Sequence, residues 1–207
     1  MTIDIRSLAI LLSLASLLQV IVLAVQYRLN RHQPGAGWWV VGTFLFALAF
    51  VANYLRDIPP FQAGAIVLNN LLFYAALSAI YVGVARFFGQ KVQVKLVLGM
   101  GTIFVLVAIY FTVNDNLGVR RVNFSVALAL LCLLIGWSLW RCRQRPLLLT
   151  ARILALVFFA NVVFYAVRGL TPFFVDTVGE IFTASLTQTA SYLNGLILST
   201  VWTFGFI

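Results

Sequence analysis

The chain has 207 residues, of which 63% are hydrophobic and only 9% are charged, and its mean hydropathy is +1.04. Soluble domains of this length are closer to half apolar and a quarter charged, so the composition excludes that class and indicates one membrane-embedded domain. The net charge of +9 would suit nucleic acid, but its distribution along the chain favours a topology signal and no nucleic-acid partner.

Seven apolar segments are long enough, or nearly so, to cross a bilayer as helices of about 20 residues. In chain order we predict them at residues 7–27, 38–55, 62–87, 94–113, 122–140, 149–167 and 182–207. The connectors contain helix-breaking stretches such as QPGAG, DIPP, NDNLG and RCRQRP. We therefore predict an all-α membrane protein with seven transmembrane helices, forming a single domain over residues 1–207.

Basic residues are concentrated after the first, third and fifth predicted helices. Nine of the fourteen Lys and Arg residues lie there, namely Arg28, Arg31, Arg86, Lys91, Lys95, Arg141, Arg143, Arg145 and Arg152. The other side holds all five acidic residues together with Arg6, Arg56, Arg120, Arg121 and Arg168. Because basic loops stay in the cytoplasm, we predict that the N-terminus is outside and the C-terminus is cytoplasmic.

Two segments, VANYLRDIPPF and VFYAVRGLTPFF, have nearly the same pattern. Each ends an apolar helix with an arginine and continues with Pro-Phe. An offset of 112 positions aligns Arg56 with Arg168 and Pro60 with Pro172. We therefore predict a parallel internal repeat, in which helices one to three correspond to helices five to seven and the fourth helix connects them.

Polar side chains at helical spacing lie along four of the predicted helices. They are Asn53, Arg56, Asn69, Asn70, Tyr74, Asn161, Tyr165, Arg168, Gln188, Ser191, Tyr192 and Asn194. Polar groups inside a bilayer face the bundle or a cavity. We therefore predict that these residues form an outward-facing ligand pocket, suited to a carboxylate, a phosphate or another polar head group.

A structural interpretation of the same residues stays open. The two arginines would then lie at the outer lipid head groups or pair with Asp57, Asp176 and Glu180. The asparagines would form hydrogen bonds between helices. The sequence also lacks a phosphate-binding loop, a nucleophile elbow, a lysine within a helix for a Schiff base, and spaced metal ligands. We therefore expect no cofactor, no metal and no catalytic activity in this chain.

The chain resembles the multi-helix membrane sensor domain at the N-terminus of bacterial GGDEF diguanylate cyclases and some sensor histidine kinases. The similar segments are, in order, IDIRSLAILLSL, PGAGWWVVG, LRDIPP, VLNNLLFYAALSAIYVGVARFFGQ, ARILALVFFANVVFYAVRGL and WTFGFI. The resemblance implies a sensory, non-catalytic module of the bacterial inner membrane whose parent protein forms homodimers. Because the chain ends inside an apolar helix, we expect it to be part of a longer protein with a cytoplasmic output domain.

These observations lead to one leading function and two alternatives. We predict a signal-transducing domain that binds a small or lipidic ligand in the outer pocket, contacts membrane lipid, and controls an output enzyme of cyclic di-GMP signalling. The alternatives are a small transporter with parallel repeats and a passive membrane anchor that promotes dimerisation. The cytoplasmic halves of the helices are dominated by Leu, Val, Ile and Phe, which favours a one-sided pocket over a transport path.

Overall fold

The computed structural model describes residues 5–55, 58–114, 116–173 and 186–206, and all regular structure within these ranges is helical. Seven α-helices follow one another in the described part of the chain. They are α1 (Ile5–Leu29), α2 (Ala36–Tyr54), α3 (Gln62–Phe87), α4 (Val94–Val113), α5 (Leu117–Trp140), α6 (Leu148–Leu170) and α7 (Leu186–Phe206). Short 3-10 turns occupy Pro59–Phe61, Arg145–Leu147 and Thr171–Phe173. The predicted all-α class with seven helices is confirmed.

Most helix bounds lie close to the predicted ones, with one exception that matters for the site. α3 and α4 have the predicted bounds, whereas α5 begins at Leu117 and not at the predicted residue 122. The side chain of Asn116 accepts a hydrogen bond from the backbone N–H of Val119 at 3.0 Å, and this cap fixes the earlier start of α5. The predicted start of the last helix at residue 182 lies outside the described residues.

The surface of the bundle suits a lipid environment. Among the described residues, α1 to α6 are each long and apolar enough to cross a membrane. Aliphatic side chains such as Leu18, Leu98, Val163 and Ile197 are exposed on the outside of the bundle, where hydrocarbon would solvate them. The chain is therefore a multi-pass membrane protein, and a seventh crossing by α7 stays a prediction.

Six helices form a closed ring, and α4 lies outside it. The order around the ring is α1, α2, α3, α5, α6 and α7, and α7 packs back against α1. α4 packs against α3 and α5 on the outer side of the ring. Because consecutive membrane-crossing helices alternate in direction, the α1–α2, α3–α4 and α5–α6 loops share one end of the bundle. We call this end, which carries the nine clustered cations, the basic end.

Aromatic rings fill the middle of the ring of helices. The centroid of the Phe46 ring in α2 lies 4.9 Å from the ring centroid of Trp202 in α7. It lies 5.0 Å from the ring centroid of Phe50 and 5.2 Å from the ring centroid of Phe73 in α3. All three contacts are edge-to-face, the arrangement that aromatic quadrupoles favour. Trp202 has no exposed surface. This aromatic core closes the bundle between its two ends.

The start of α2 lies unusually close to the end of α3. Gly35 precedes α2 with a φ of 94°, a left-handed conformation that favours glycine. A Cβ atom at Gly35 would overlap the carbonyl oxygen of Gly83, and one at Gly83 would overlap the Trp39 ring. The two glycines therefore allow the backbones of the two helices to meet at the basic end.

Candidate functional site

A cavity of about 150 Å³ lies between α2, α3, α5, α6 and α7. It is at the end of the bundle opposite the basic end, because its lining comes from the later part of α2 and α6 and the earlier part of α3, α5 and α7. Its polar lining consists of Asn53, Asn69, Asn70, Arg120, Arg121, Tyr165, Arg168, Ser191 and Tyr192. We call it the arginine cavity. All of these residues except the two arginines of α5 belong to the predicted site.

Three asparagines form the wall that α2 and α3 contribute. Asn53, Asn69 and Asn70 are all buried, with 5%, 4% and 9% of their surfaces exposed. The Asn69 side-chain N–H donates to the backbone carbonyl of Ala49 and so ties α3 to α2. Buried amides are kept only where they find partners or line a polar space. Here they give the cavity a wall that both donates and accepts hydrogen bonds.

Arg168 and two tyrosines form much of the opposite wall. The Arg168 guanidinium of α6 lies 5.2 Å from the centroid of the Phe124 ring of α5, within the range of a cation–π contact. Tyr165 lies about one turn before Arg168 on the same helix and is buried, as is Tyr192 of α7. Arg168 therefore contacts an aromatic ring and also lines the cavity.

The two remaining arginines come from the part of α5 that the sequence prediction assigned to a loop. Arg120 and Arg121 lie in the first two turns of α5, are partly buried, and line the cavity. Because the helix was predicted to start at residue 122, the two arginines were used only to predict the orientation in the membrane and were not included in the predicted site. The signal that could have placed them is Asn116, a residue type typical of helix N-caps, directly before Leu117.

The charged residues that line the cavity, among those the structure describes, are all cations. The N-terminus of a helix carries a partial positive charge, which repels cations and attracts anions. Two arginines of α5 lie near such an N-terminus, and Arg168 lines the same space from α6. Arginine matches carboxylate and phosphate geometry particularly well, because its planar fork can donate two parallel hydrogen bonds.

The deeper part of the cavity is apolar. Phe46, Phe50, Phe73, Leu128 and Gly195 line it on the side toward the middle of the bundle. The cavity thus has a charged mouth and an aromatic floor. This combination suits a ligand with one anionic group and an apolar remainder.

The structure places other predicted site residues outside the cavity lining. The Tyr74 hydroxyl donates to the Val97 carbonyl of α4 at 2.6 Å, and its ring stacks on Phe104 at 5.2 Å between centroids. Tyr74 therefore attaches α4 to the ring of helices. Arg56 and the side chain of Gln188 lie outside the described residues.

Asn161 and Asn194 join α6 to α7 beside the cavity. The Asn194 side-chain N–H donates to Asn161 Oδ1 at 2.8 Å, and the Asn161 side-chain N–H donates to the Val157 carbonyl at 2.9 Å. Asn161 is buried. The sequence left two interpretations open for these asparagines, ligand binding and hydrogen bonding between helices. For this pair the structure shows a hydrogen bond between helices.

Comparisons of the chain with models of protein families, with curated proteins and with solved structures found no match. Within the described residues, no group of three or more His, Cys, Asp or Glu side chains lies close enough together to hold a metal ion. The chemistry that the arginine cavity offers consists of guanidinium, amide and hydroxyl groups over an aromatic floor. Groups of these kinds suit the binding of an anion.

Proposed function

We propose that this chain is a membrane-embedded sensory domain that binds a small organic anion in the arginine cavity and transmits the binding event to a cytoplasmic output enzyme. The observation that carries the proposal is the convergence of Arg120, Arg121 and Arg168 with three asparagines in one cavity. We propose that the output enzyme is a diguanylate cyclase, and this choice rests only on the resemblance of the sequence segments to sensor domains of GGDEF proteins.

The size of the cavity limits the ligand. An engineered cavity of about 150 Å³ in another protein holds a benzene molecule, and the arginine cavity has about the same volume, 150 Å³. Pockets for drug-sized ligands are larger, about 300–1,000 Å³. We therefore propose a ligand with the size of benzoate or of a short-chain fatty acid, with its carboxylate at the arginines and its apolar part on the aromatic floor.

The charge distribution supports an outward-facing cavity. The arginine cavity lies opposite the basic end, and basic loops are retained in the cytoplasm. The N-terminus would then be outside and the C-terminus of α7 inside, in the bacterial inner membrane. In this orientation the cavity is accessible to small anions on the extracytoplasmic side, and α7 runs from the cavity toward the cytoplasm.

Helix bounds and packing support the internal repeat. The offset of 112 positions that aligns Arg56 with Arg168 also carries Pro59–Phe61 onto Thr171–Phe173 and the start of α1 onto that of α5. The packing of α3 on α5 has its counterpart in the packing of α7 on α1. We propose two three-helix units related by an axis along the membrane normal, with α4 as the connector.

α7 is the element that we propose to carry the signal. It contributes Ser191 and Tyr192 to the cavity, and Asn194 bonds to Asn161 of α6 beside it. Further along, Trp202 packs into the aromatic core. A ligand shifts the position of α7 only if it binds one packing state more tightly than the other. The cavity wall on α7 supplies the contacts through which such a preference arises.

The aromatic core supports a one-sided site over a transport path. Phe46 and Trp202 pack edge to face between the cavity and the basic end, and a transporter would need a polar path there. Saturable flux of the bound anion into liposomes that contain this chain would favour the transporter instead.

Binding is tested first, on the purified chain in lipid nanodiscs by calorimetry. We expect benzoate to bind, and benzamide, which has nearly the same shape and no charge, to bind at least tenfold more weakly. Arg168→Gln should weaken benzoate binding at least tenfold. The matched control is Arg152→Gln, on the same helix but at the basic end, where the guanidinium lies 5.6 Å from the Trp140 ring centroid. Equal affinities of wild type and Arg168→Gln for benzoate and other small anions would overturn the proposed site.

Transmission is tested separately, with the chain joined to a diguanylate cyclase domain after residue 207. The anion that binds should change the rate of cyclic di-GMP synthesis, and Arg168→Gln should abolish this response at unchanged expression. If the ligand binds but the rate of cyclic di-GMP synthesis does not change, the chain is a passive membrane anchor.

A further inference from the structure

A second concave site lies on the outside of the bundle and has no lining residue in common with the arginine cavity. It is a groove of about 650 Å³ between α2, α3 and α4, and we call it the lateral groove. It exists because α4 packs against α3 and α5 but stands apart from the ring at α2. Its walls are mostly aliphatic, with Val41 and Leu45 on α2, Val82 on α3, and Leu98 and Val105 on α4.

Two of the hydroxyl groups in the groove walls form hydrogen bonds within the protein. The Tyr74 hydroxyl donates to the Val97 carbonyl at 2.6 Å. The Thr102 hydroxyl donates to the Leu98 carbonyl at 3.0 Å. The groove therefore presents hydrocarbon with little hydrogen-bonding capacity. An alkyl chain fits this surface better than a polar ligand does.

Close packing of α4 against α3 forms one side of the groove. At Gly101 a Cβ atom would lie 2.8 Å from the Tyr74 ring, so α4 approaches α3 closely at this point. The backbone N–H of Gln93 donates to the Tyr81 hydroxyl at 3.2 Å, which holds the start of α4. These contacts fix the position of α4 on α3, and the space toward α2 stays open.

The length of the groove matches one lipid leaflet. On α4 it runs from Val94 to Leu106, which at 1.5 Å per residue is about 18 Å. The hydrocarbon core of a bilayer is about 30 Å thick, so one leaflet is about 15 Å deep. The groove starts at the basic end, where α4 begins, and extends about as far as the middle of the membrane. An acyl chain from the leaflet on the basic side would fill it.

The mouth of the groove is positively charged. Arg86, Lys91 and Lys95 are exposed around it, and the Arg86 guanidinium lies 5.2 Å from the ring centroid of Trp38, which lines the groove. The segments 5–55 and 58–114, which build the groove and its mouth, contain no Asp or Glu. The three cations and the apolar groove together match the two parts of a phospholipid.

We propose that the lateral groove is a specific binding site for an anionic glycerophospholipid, with one acyl chain between α2, α3 and α4 and the phosphate at Arg86, Lys91 and Lys95. The site shares α2 and α3 with the arginine cavity, but it is lined by other residues of these helices, begins at the opposite end of the bundle and takes a different ligand. It therefore holds whether or not the chain senses an organic anion.

The head-group part of the proposal is tested by native mass spectrometry of the purified chain with phosphatidylglycerol or phosphatidylcholine of identical acyl chains. We expect the anionic lipid to be retained at least tenfold more strongly. Lys91→Gln/Lys95→Gln should reduce this preference about tenfold or more, because each cation near an anionic lipid contributes about fivefold in affinity. The matched control, Arg143→Gln/Arg145→Gln, removes two exposed cations from the α5–α6 loop at the same end and should leave the preference unchanged.

The acyl-chain part is tested by filling the groove. Val41 lines the groove and is 45% exposed, so Val41→Phe adds volume there without overpacking the core. It should reduce retention of both lipids. Val163→Phe, an equal change at an exposed position on α6, should reduce neither. Inorganic phosphate at millimolar concentration should not displace the lipid, because it lacks the chain.

Three results would overturn the proposal. They are equal retention of the two lipids by the wild-type chain, an unchanged preference in the double lysine variant, and unchanged retention in the groove-filling variant. Displacement of the lipid by inorganic phosphate alone would indicate that the cations bind a free anion and that the groove does not contribute to lipid binding. Thermal unfolding of each variant without added lipid shows that the bundle is intact, so that a loss of retention reports on the site.

Discussion

The hydrogen bond between Asn161 and Asn194 should hold α7 against α6, and its contribution follows from its surroundings. Asn194 donates to Asn161 Oδ1 at 2.8 Å, and Asn161 is only 4% exposed. Hydrogen bonds between membrane helices contribute about 0.6 kcal/mol on average and about 1.7 kcal/mol at most. Because this acceptor is buried and the bond is short, we expect a coupling energy of about 1 kcal/mol between the two side chains.

The two single variants should differ in their effects. Asn194→Leu leaves Asn161 Oδ1 buried without its donor, and an unsatisfied buried acceptor costs about 1–3 kcal/mol. Asn161→Leu leaves the amide of Asn194, which is only partly buried, and should destabilise less. The double variant leaves neither group without a partner. Its loss of unfolding free energy should therefore be smaller than the sum of the single losses by the coupling energy.

The measurement is a double-mutant cycle on the free energy of unfolding in mixed micelles. A control cycle uses Gln19 and Thr200, whose side chains form the longer α1–α7 hydrogen bond at 3.2 Å and should show weaker coupling. A coupling energy below about 0.3 kcal/mol for the asparagine pair would refute the reasoning, since it lies well below the membrane-protein average. So would a larger loss in Asn161→Leu than in Asn194→Leu.

Two further predictions concern stability. Gly35→Ala should lower the free energy of unfolding by about 3 kcal/mol. The alanine would have to adopt the left-handed backbone conformation of Gly35, and its Cβ would overlap a carbonyl oxygen of α3. The control is Gly99→Ala, where the added Cβ meets nothing within 4 Å, and it should be neutral or stabilising. Equal losses of unfolding free energy in the two variants would contradict the close approach of α2 and α3 at Gly35. Asn116→Ala should lower the free energy of unfolding by about 1 kcal/mol through loss of the N-cap of α5. Asn116→Ser should retain most of that stability, and a serine variant as unstable as the alanine variant would argue against capping.

The helices themselves could be predicted because an apolar run of bilayer length is a local property of the chain. α3 and α4 have the bounds that the sequence predicted, and breaker residues lie in the connectors. The start of α5 was predicted too late, at residue 122, because Gly118 and the two following arginines resemble a loop. The Asn116 side chain accepts a hydrogen bond from the Val119 backbone N–H and caps a helix that begins before these residues.

The site could be predicted only in part. Helical spacing assigned Asn53, Tyr165 and Arg168 to inward faces, and these side chains do line one cavity. The same spacing assigned Tyr74 and Asn194 to inward faces, but it could not show that one contacts α4 and the other Asn161. Periodicity identifies the polar face of a helix. It does not identify the helix that this face meets.

The sequence by itself determined the membrane class, the number of helices, the clustering of basic residues in alternate loops and the polar faces of four helices, because all of these depend on residues close together in the chain. Only the tertiary structure decided that six helices form a ring, that α4 lies outside it, and that Arg120 and Arg121 join Arg168 in one cavity. The physical reason is that lipid solvates apolar side chains as well as the protein interior does. Hydrophobicity therefore does not tell which faces pack together, and close fit and hydrogen bonds between residues far apart in the chain decide it.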